Sequence, residues 1–231
     1  MTVLGIETAT AVCGAAIVRD GRVLKEEQLN RRYIHSEKLL TLIDIVLTYA
    51  QTGPGGLDGI AVSIGPGSFT GLRIGLSAAK GLVYAGGFPL VAVSTLQALS
   101  QRAVDAGVVG PGEFILSTVD ARRDEVYARL SVVKGKKAEP VWEDRATTVG
   151  DLVRELGDRR VILTGEGTAK LLAAPESVDR RHRFVVPTND LLQPSSGTVA
   201  LLGEQLLRAG KVEDPSTLEP RYIKEFTIPE R

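Results

Sequence analysis

Apolar and polar positions along this chain recur with two different periods, and the order in which the periods follow one another predicts its architecture. Val3 to Glu7 is a short apolar run, Cys13 to Val18 a second, and Asp20-Gly21 supplies the turn into a third strand over Arg22 to Leu29. The period then changes from two to 3.6. Ser36 to Tyr49 reads as a helix with Leu39, Leu42, Ile43, Val46 and Ala50 on one stripe and Leu40, Ile45 and Leu47 beside it. A glycine-rich connection, residues 53–59, leads to a buried strand at Ile60 to Ile64, which Gly65-Pro66-Gly67 breaks before a helix that begins near Thr70. A strand at Leu90 to Val93 and a helical stretch at Leu96 to Val104 end the first half.

After Gly110-Pro111-Gly112 the succession starts again. Phe114 to Asp120, Glu125 to Val133 and Ala138 to Trp142 read as strands, with Lys134-Gly135-Lys136 as a hairpin. A helix at Asp151 to Leu156, a strand at Val161 to Thr164 and a helical stretch from Thr168 follow. A βββαβα order thus occurs twice, the signature of the α/β class of actin, sugar kinases and Hsp70 (ASKHA), in which two similar lobes face a cleft. The expected division is a first lobe over 1–106 and a smaller second lobe with the tail over 107–231. The length after Thr168 leaves little room for a full closing sheet.

Composition narrows the function classes. The 231 residues carry 28 basic and 28 acidic side chains, so no global field draws the chain to nucleic acid. Arg180-Arg181-His182-Arg183 is the densest basic run, and a solvated loop accounts for it. A single cysteine, Cys13, rules out an internal disulfide framework, and two histidines, His35 and His182, far apart in sequence, form no His-x-x-x-His pair; no metal site is expected. The opening MTVLGIETA has neither a basic leader nor a long apolar run, so a cytoplasmic protein without a membrane span is expected.

The most constrained segment is IAVSIGPGSFTGLRIGLSAAKGLVYA, residues 60–85. Ser68 or Thr70 can cap the helix, and free N–H groups at Gly65, Gly67, Ser68 and Thr70 can either hold an anion or close a purely structural turn. The lysine and spacing of a P-loop are missing. Each interior glycine costs about 1 kcal/mol against alanine, so Gly71 and Gly75, four apart on one face, call for a close neighbour. Thr8 and Thr10 in the first hairpin turn, and Gly165 and Gly167 flanking Glu166, complete a candidate vestigial nucleotide site. Against it, Arg122 and Arg123 stand in the second turn where glycine would let backbone approach a phosphate. No nucleophile, base or metal constellation emerges, and Cys13 sits mid-strand as an inert thiol.

GPGSFTGLRIG, residues 65–75, resembles the hallmark of the bacterial TsaB (YeaZ) family, and GIETAT, IHSEKLLTLIDIVL, DARRDEVYARL and LEPRYIKEF resemble its other stretches in order. Glu7 stands where the family's opening commonly has aspartate. The resemblance implies a non-catalytic relative of TsaD, the subunit that transfers a threonylcarbamoyl group to N6 of the adenosine beside the tRNA anticodon. It implies a TsaD-type catalytic partner, a TsaE-type ATPase, tRNA reached through the complex, and a homodimer when the chain is alone. ATP would be used by that complex, with no cofactor assigned to this chain. By resemblance the partner interface comprises His35, Leu39, Leu42, Ile43 and Val46 of the first helix, with Gly71, Leu72, Gly75, Leu76 and Lys80 of the second. The alternative is an autonomous ATP-binding enzyme of the actin-like class.

Overall fold

Both halves of the chain open on antiparallel strands whose apolar alternation requires a partner layer. The computed structural model describes residues 1–223. Its first half comprises β1 (Thr2–Glu7), β2 (Val12–Arg19), β3 (Arg22–Asn30), α1 (His35–Tyr49), β4 (Gly59–Gly65), α2 (Phe69–Gly86), β5 (Leu90–Ser94) and α3 (Thr95–Asp105). The second comprises β6 (Phe114–Asp120), β7 (Glu125–Lys134), β8 (Lys137–Pro140), β9 (Arg145–Thr148), α4 (Val149–Leu156), β10 (Val161–Thr164), α5 (Thr168–Ala173), β11 (Phe184–Val185) and α6 (Ser196–Arg208).

The first sheet runs β3-β2-β1-β4-β5, antiparallel through the hairpins and parallel from β1 through β4 to β5. The second repeats this plan as β11-β10-β6-β7-β8, with β9 also paired to β7. The third strand expected over Ala138 to Trp142 is split. β8 pairs with one end of β7 and β9 with the other, and Val141 to Asp144 leave the ladder between them.

Ser or Thr side chains start four helices as acceptors of free N–H groups: Ser68 from Gly71, Ser94 from Gln97, Thr148 from Asp151 and Ser195 from Thr198. α1 and α2 cover one face of the first sheet, and α4 and α5 cover the outer face of the second. Between the sheets lie α3 and α6, and they are exchanged. α3, from the first half, packs chiefly on the second sheet, with Ala103 among Ile115, Val133 and Ile162. α6, from the end of the chain, packs on β1, β4 and β2 with Val199 and Leu202 against Val3, Ala61 and Val91.

The division at 106/107 therefore does not hold for the C-terminal segment, because α6 completes the first lobe. Small residues make its approach close. A side chain at Gly203 would begin 2.2 Å from the Ala61 Cβ, and one at Gly5 would fall 2.3 Å from the Ser196 carbonyl. Glu26 on β3 fixes the helix start, its Oε1 accepting from Ser195 Oγ at 2.8 Å, Ser196 Oγ at 3.0 Å and the Gly197 N–H at 2.9 Å. Beyond α6, Glu213 bridges to Leu90 on the edge of the first sheet, and the Arg221 N–H donates to the Ile64 carbonyl at 2.7 Å.

A buried carboxylate holds the lobes together. Asp144, in the segment that leaves the second sheet, accepts from Ser94 Oγ of the first lobe at 2.6 Å, from Arg129 Nη1 of β7 at 2.8 Å and from Arg221 Nη1 of the tail at 3.3 Å. Its side chain is fully buried, so these donors answer a charge that water does not reach.

Gly203→Ala is expected to lower stability by about 1–3 kcal/mol, because α6 must move off β4 to admit a methyl group. Urea denaturation checks this; an unchanged midpoint would mean the helix yields without loss.

Candidate functional site

Most of the residues expected to form the partner interface pack in the chain's own core, although His35 and Leu39 also line an open groove. Leu39, Leu42, Ile43 and Val46 are 0–5% exposed and pack, with Leu76, among strands of the first sheet; Leu72 is equally buried. A stripe this apolar is consumed by covering the sheet. Gly71 and Gly75 do permit a close approach, but to this chain: added side chains would meet the Thr8 carbonyl at 2.1 Å and Thr8 Oγ1 at 2.2 Å. His35 is buried too, with Nε2 at 3.1 Å from both the Thr10 and Val12 carbonyls, two acceptors that require the proton on that nitrogen. Lys80 is half-buried and lies near Asp214 of the tail.

The outer faces of the same two helices remain open. Leu40 is 64% exposed, and a groove of about 540 Å³ runs between α1 and α2, lined by Leu39, Leu40, Phe69, Ile74, Ser77 and Ala78. At one end Arg73 lies 3.8 Å over the Phe69 ring and donates from Nε to Tyr222 Oη at 3.0 Å, while Phe69 and Tyr222 stack at 5.2 Å. Tail and α2 are joined there.

A second concavity of about 770 Å³ lies between the lobes. Of the candidate nucleotide residues, Thr10, Gly67, Ser68 and Thr70 line it; Thr8, Gly65, Gly165 and Gly167 do not. The two glycine corners are nonetheless equivalent. Gly65 (φ +112°) and Gly165 (φ +89°) turn the chain after β4 and β10 through conformations that favour glycine. The first corner then rests on the turn after β1 and the second on β6 just before its turn. The Ser68 N–H donates to the Ala9 carbonyl at 2.6 Å and the Gly167 N–H to the Thr118 carbonyl at 3.2 Å, and a side chain at Gly67 would fall 2.2 Å from Ala9 O. At each corner one backbone donor that could face a phosphate, Ser68 or Gly167, is thus turned to protein instead.

Of the rest of the cleft, the sequence drew attention to Arg122 and Glu166 as turn residues and missed Arg32, Tyr33, Tyr127 and Tyr222. Asp120 bonds to Lys170 and faces Arg32 from the other lobe; those hydrogen bonds and charges hold its carboxyl below the usual range against the opposing effect of burial. Burial pushes the Glu166 carboxyl up. Tyr33, Arg122, Tyr127 and Tyr222 complete the walls. The 180–183 run is not a free basic loop: Arg181 bonds to the Leu172 carbonyl, and Arg183 to the Asp158 carbonyl and carboxylate.

Behind the first hairpin turn, Glu7 is wholly buried. Its Oε1 accepts the Ala9 N–H at 2.6 Å, and the Ser63 hydroxyl and Thr8 N–H lie close enough to add weaker hydrogen bonds to the carboxyl. Desolvation raises its pKa to about 7 despite those hydrogen bonds. Burial, and then the charge of Glu7, push the Cys13 thiol up to about 11, which makes it inert. Among the described residues no three His, Cys, Asp or Glu side chains converge on a metal position, and no helix is long and apolar enough to cross a membrane.

Two duplicated sheets, exchanged third helices and a cleft between them define a two-lobed protein of the actin-like class. The fold matches an uncharacterised Pseudomonas aeruginosa protein with similarity to peptidase YeaZ (TM-score 0.82, 24% identity, 96% of this chain and 99% of that one). It also matches the ADPNP-bound activator of Clostridium difficile 2-hydroxyisocaproyl-CoA dehydratase (TM-score 0.52, 9% identity, 93% and 99%). Residues 24–224 match the family described as TsaD, tRNA N6-adenosine threonylcarbamoyltransferase. The tRNA threonylcarbamoyladenosine biosynthesis protein TsaB of Bacillus subtilis is 31% identical over 228 residues, 97% of this chain and 94% of that one. The chain belongs to this family, within its TsaB (YeaZ) group.

Because Glu7 binds its proton more tightly folded (about 7) than unfolded (4.5), the native state holds the extra proton between those values. Stability is expected to fall as pH rises through that window, by on the order of 3 kcal/mol, and to level above it. In urea titrations at pH 5 and pH 8, Glu7→Gln should narrow the difference; an unchanged difference would refute a buried, protonated Glu7.

Proposed function

We propose that this chain is the non-catalytic subunit required for forming the threonylcarbamoyl group on N6 of the adenosine next to the tRNA anticodon. Family membership carries participation in threonylcarbamoyladenosine synthesis. The finer role is to bind and activate a TsaD-type transferase, together with a TsaE-type ATPase, in the cytoplasm; this reading assigns no cofactor to the chain.

The observation that carries it is the open groove between α1 and α2. Leu40, Ile74 and Ala78 present an apolar strip, and Ser77 and the exposed Gly81 keep the α2 surface low, so another pair of helices can seat closely. The partner surface is thus the outer face of the two helices that resemblance singled out, one residue around from the stripe named. When the transferase is absent, a second copy takes its place.

In light scattering with the TsaD-type subunit, wild type is expected to give a heterodimer and Leu40→Asp to abolish it, with stability changed by no more than about 0.5 kcal/mol. Leu42→Asp, by contrast, should unfold the chain, since an unpaired charge would enter the core. A heterodimer that survives Leu40→Asp, or none with wild type, overturns this assignment.

A further inference from the structure

Three residues at the mouth of the cleft hold conformations that their side chains disfavour. Tyr33 (φ +64°), Arg122 (φ +68°) and Arg123 (φ +48°) all lie in the left-handed region. Two consecutive left-handed residues in a hairpin turn are ordinarily asparagine or glycine. Bulky side chains kept there point to a use for the side chains themselves.

Their surroundings say what use. Tyr33 is 94% exposed, and Arg31, Arg122 and Arg123 are exposed with no ion pair among the described residues. The carboxylates of the cleft lie with other cations, Asp120 with Lys170 and both Asp120 and Glu166 facing Arg32. Against the rim arginines stand Asp124 in the same turn and Glu37, which faces Arg31 and pairs with Lys38, so the rim keeps an excess of positive charge above a balanced floor. Arginines beside an exposed ring form the combination that holds single-stranded RNA, with charge on phosphates and the ring under a base. The rim also adjoins the groove assigned to the transferase: cleft and groove share His35, Ser36, Phe69, Thr70 and Ile74.

We infer that this chain touches the tRNA directly, holding a single-stranded segment on Tyr33, Arg31, Arg122 and Arg123 while the transferase occupies the adjoining groove. This rests on the function proposed above and adds an RNA surface to a subunit otherwise reached only through its partner.

Arg122→Gly/Arg123→Gly and Tyr33→Gly place glycine where the backbone favours it, so both variants are expected to keep or gain thermal stability. Each is assayed in complex with the TsaD-type subunit for binding an unmodified tRNA transcript across a salt series. The double arginine variant should lose roughly tenfold or more in affinity, with the slope of log K against log salt reduced by about 1 to 1.5. Tyr33→Gly should lose roughly tenfold with the slope unchanged. Arg22→Ala, an exposed arginine on β3, should change affinity less than about twofold. Unchanged affinity and slope in both glycine variants, or no tRNA bound by the wild-type complex, overturns this inference. Light scattering on the same samples separates its failure from that of the proposed function, since a heterodimer that forms yet shows no RNA effect refutes only the RNA surface.

Discussion

The structure depends on the close seating of α6 against the first sheet. That sheet is apolar on both faces, and only α1 and α2 come from its own half of the chain. The opposite face is covered by a helix whose glycines and alanine let it sit at backbone distance from β1 and β4. α3 makes the reciprocal crossing to the second sheet, so each lobe is finished by residues of the other. Asp144 then joins Ser94, Arg129 and Arg221 where lobes and tail meet.

The same economy of space explains the glycine motif that dominates the sequence. Gly67, Gly71 and Gly75 are small because the turn after β1 lies on them, and Gly165 and Gly167 are small because Thr118 lies on them. At both corners the glycines admit protein backbone. Two concave surfaces stay open beside them, the apolar groove over α1 and α2 and the cleft where the lobes meet.

Element order and pairing were legible because periodicity reports which faces are covered, as in the continuous apolar run of β4 and the alternation of β6 and β7. What covers them was not. Leu39, Leu42, Ile43 and Val46 read as surplus for one sheet, and the surplus is small: they are the sheet-facing stripe, while Leu40 beside them is the free side chain. α6 escaped notice because glycine and alanine on its buried face weaken the apolar signal that marks a helix. Asp144 and Tyr222 reach their places through a break in a ladder and a tail that doubles back, and neither leaves a periodic trace.

The seating of α6 also sets an order of events during synthesis. The first strands leave the ribosome early, and the helix that covers one face of their sheet leaves among the last residues described. Until then an apolar sheet face stands open, and the lobes cannot mature one after the other as independent units do. For this chain, the first half is not whole until residues 196–208 have been made.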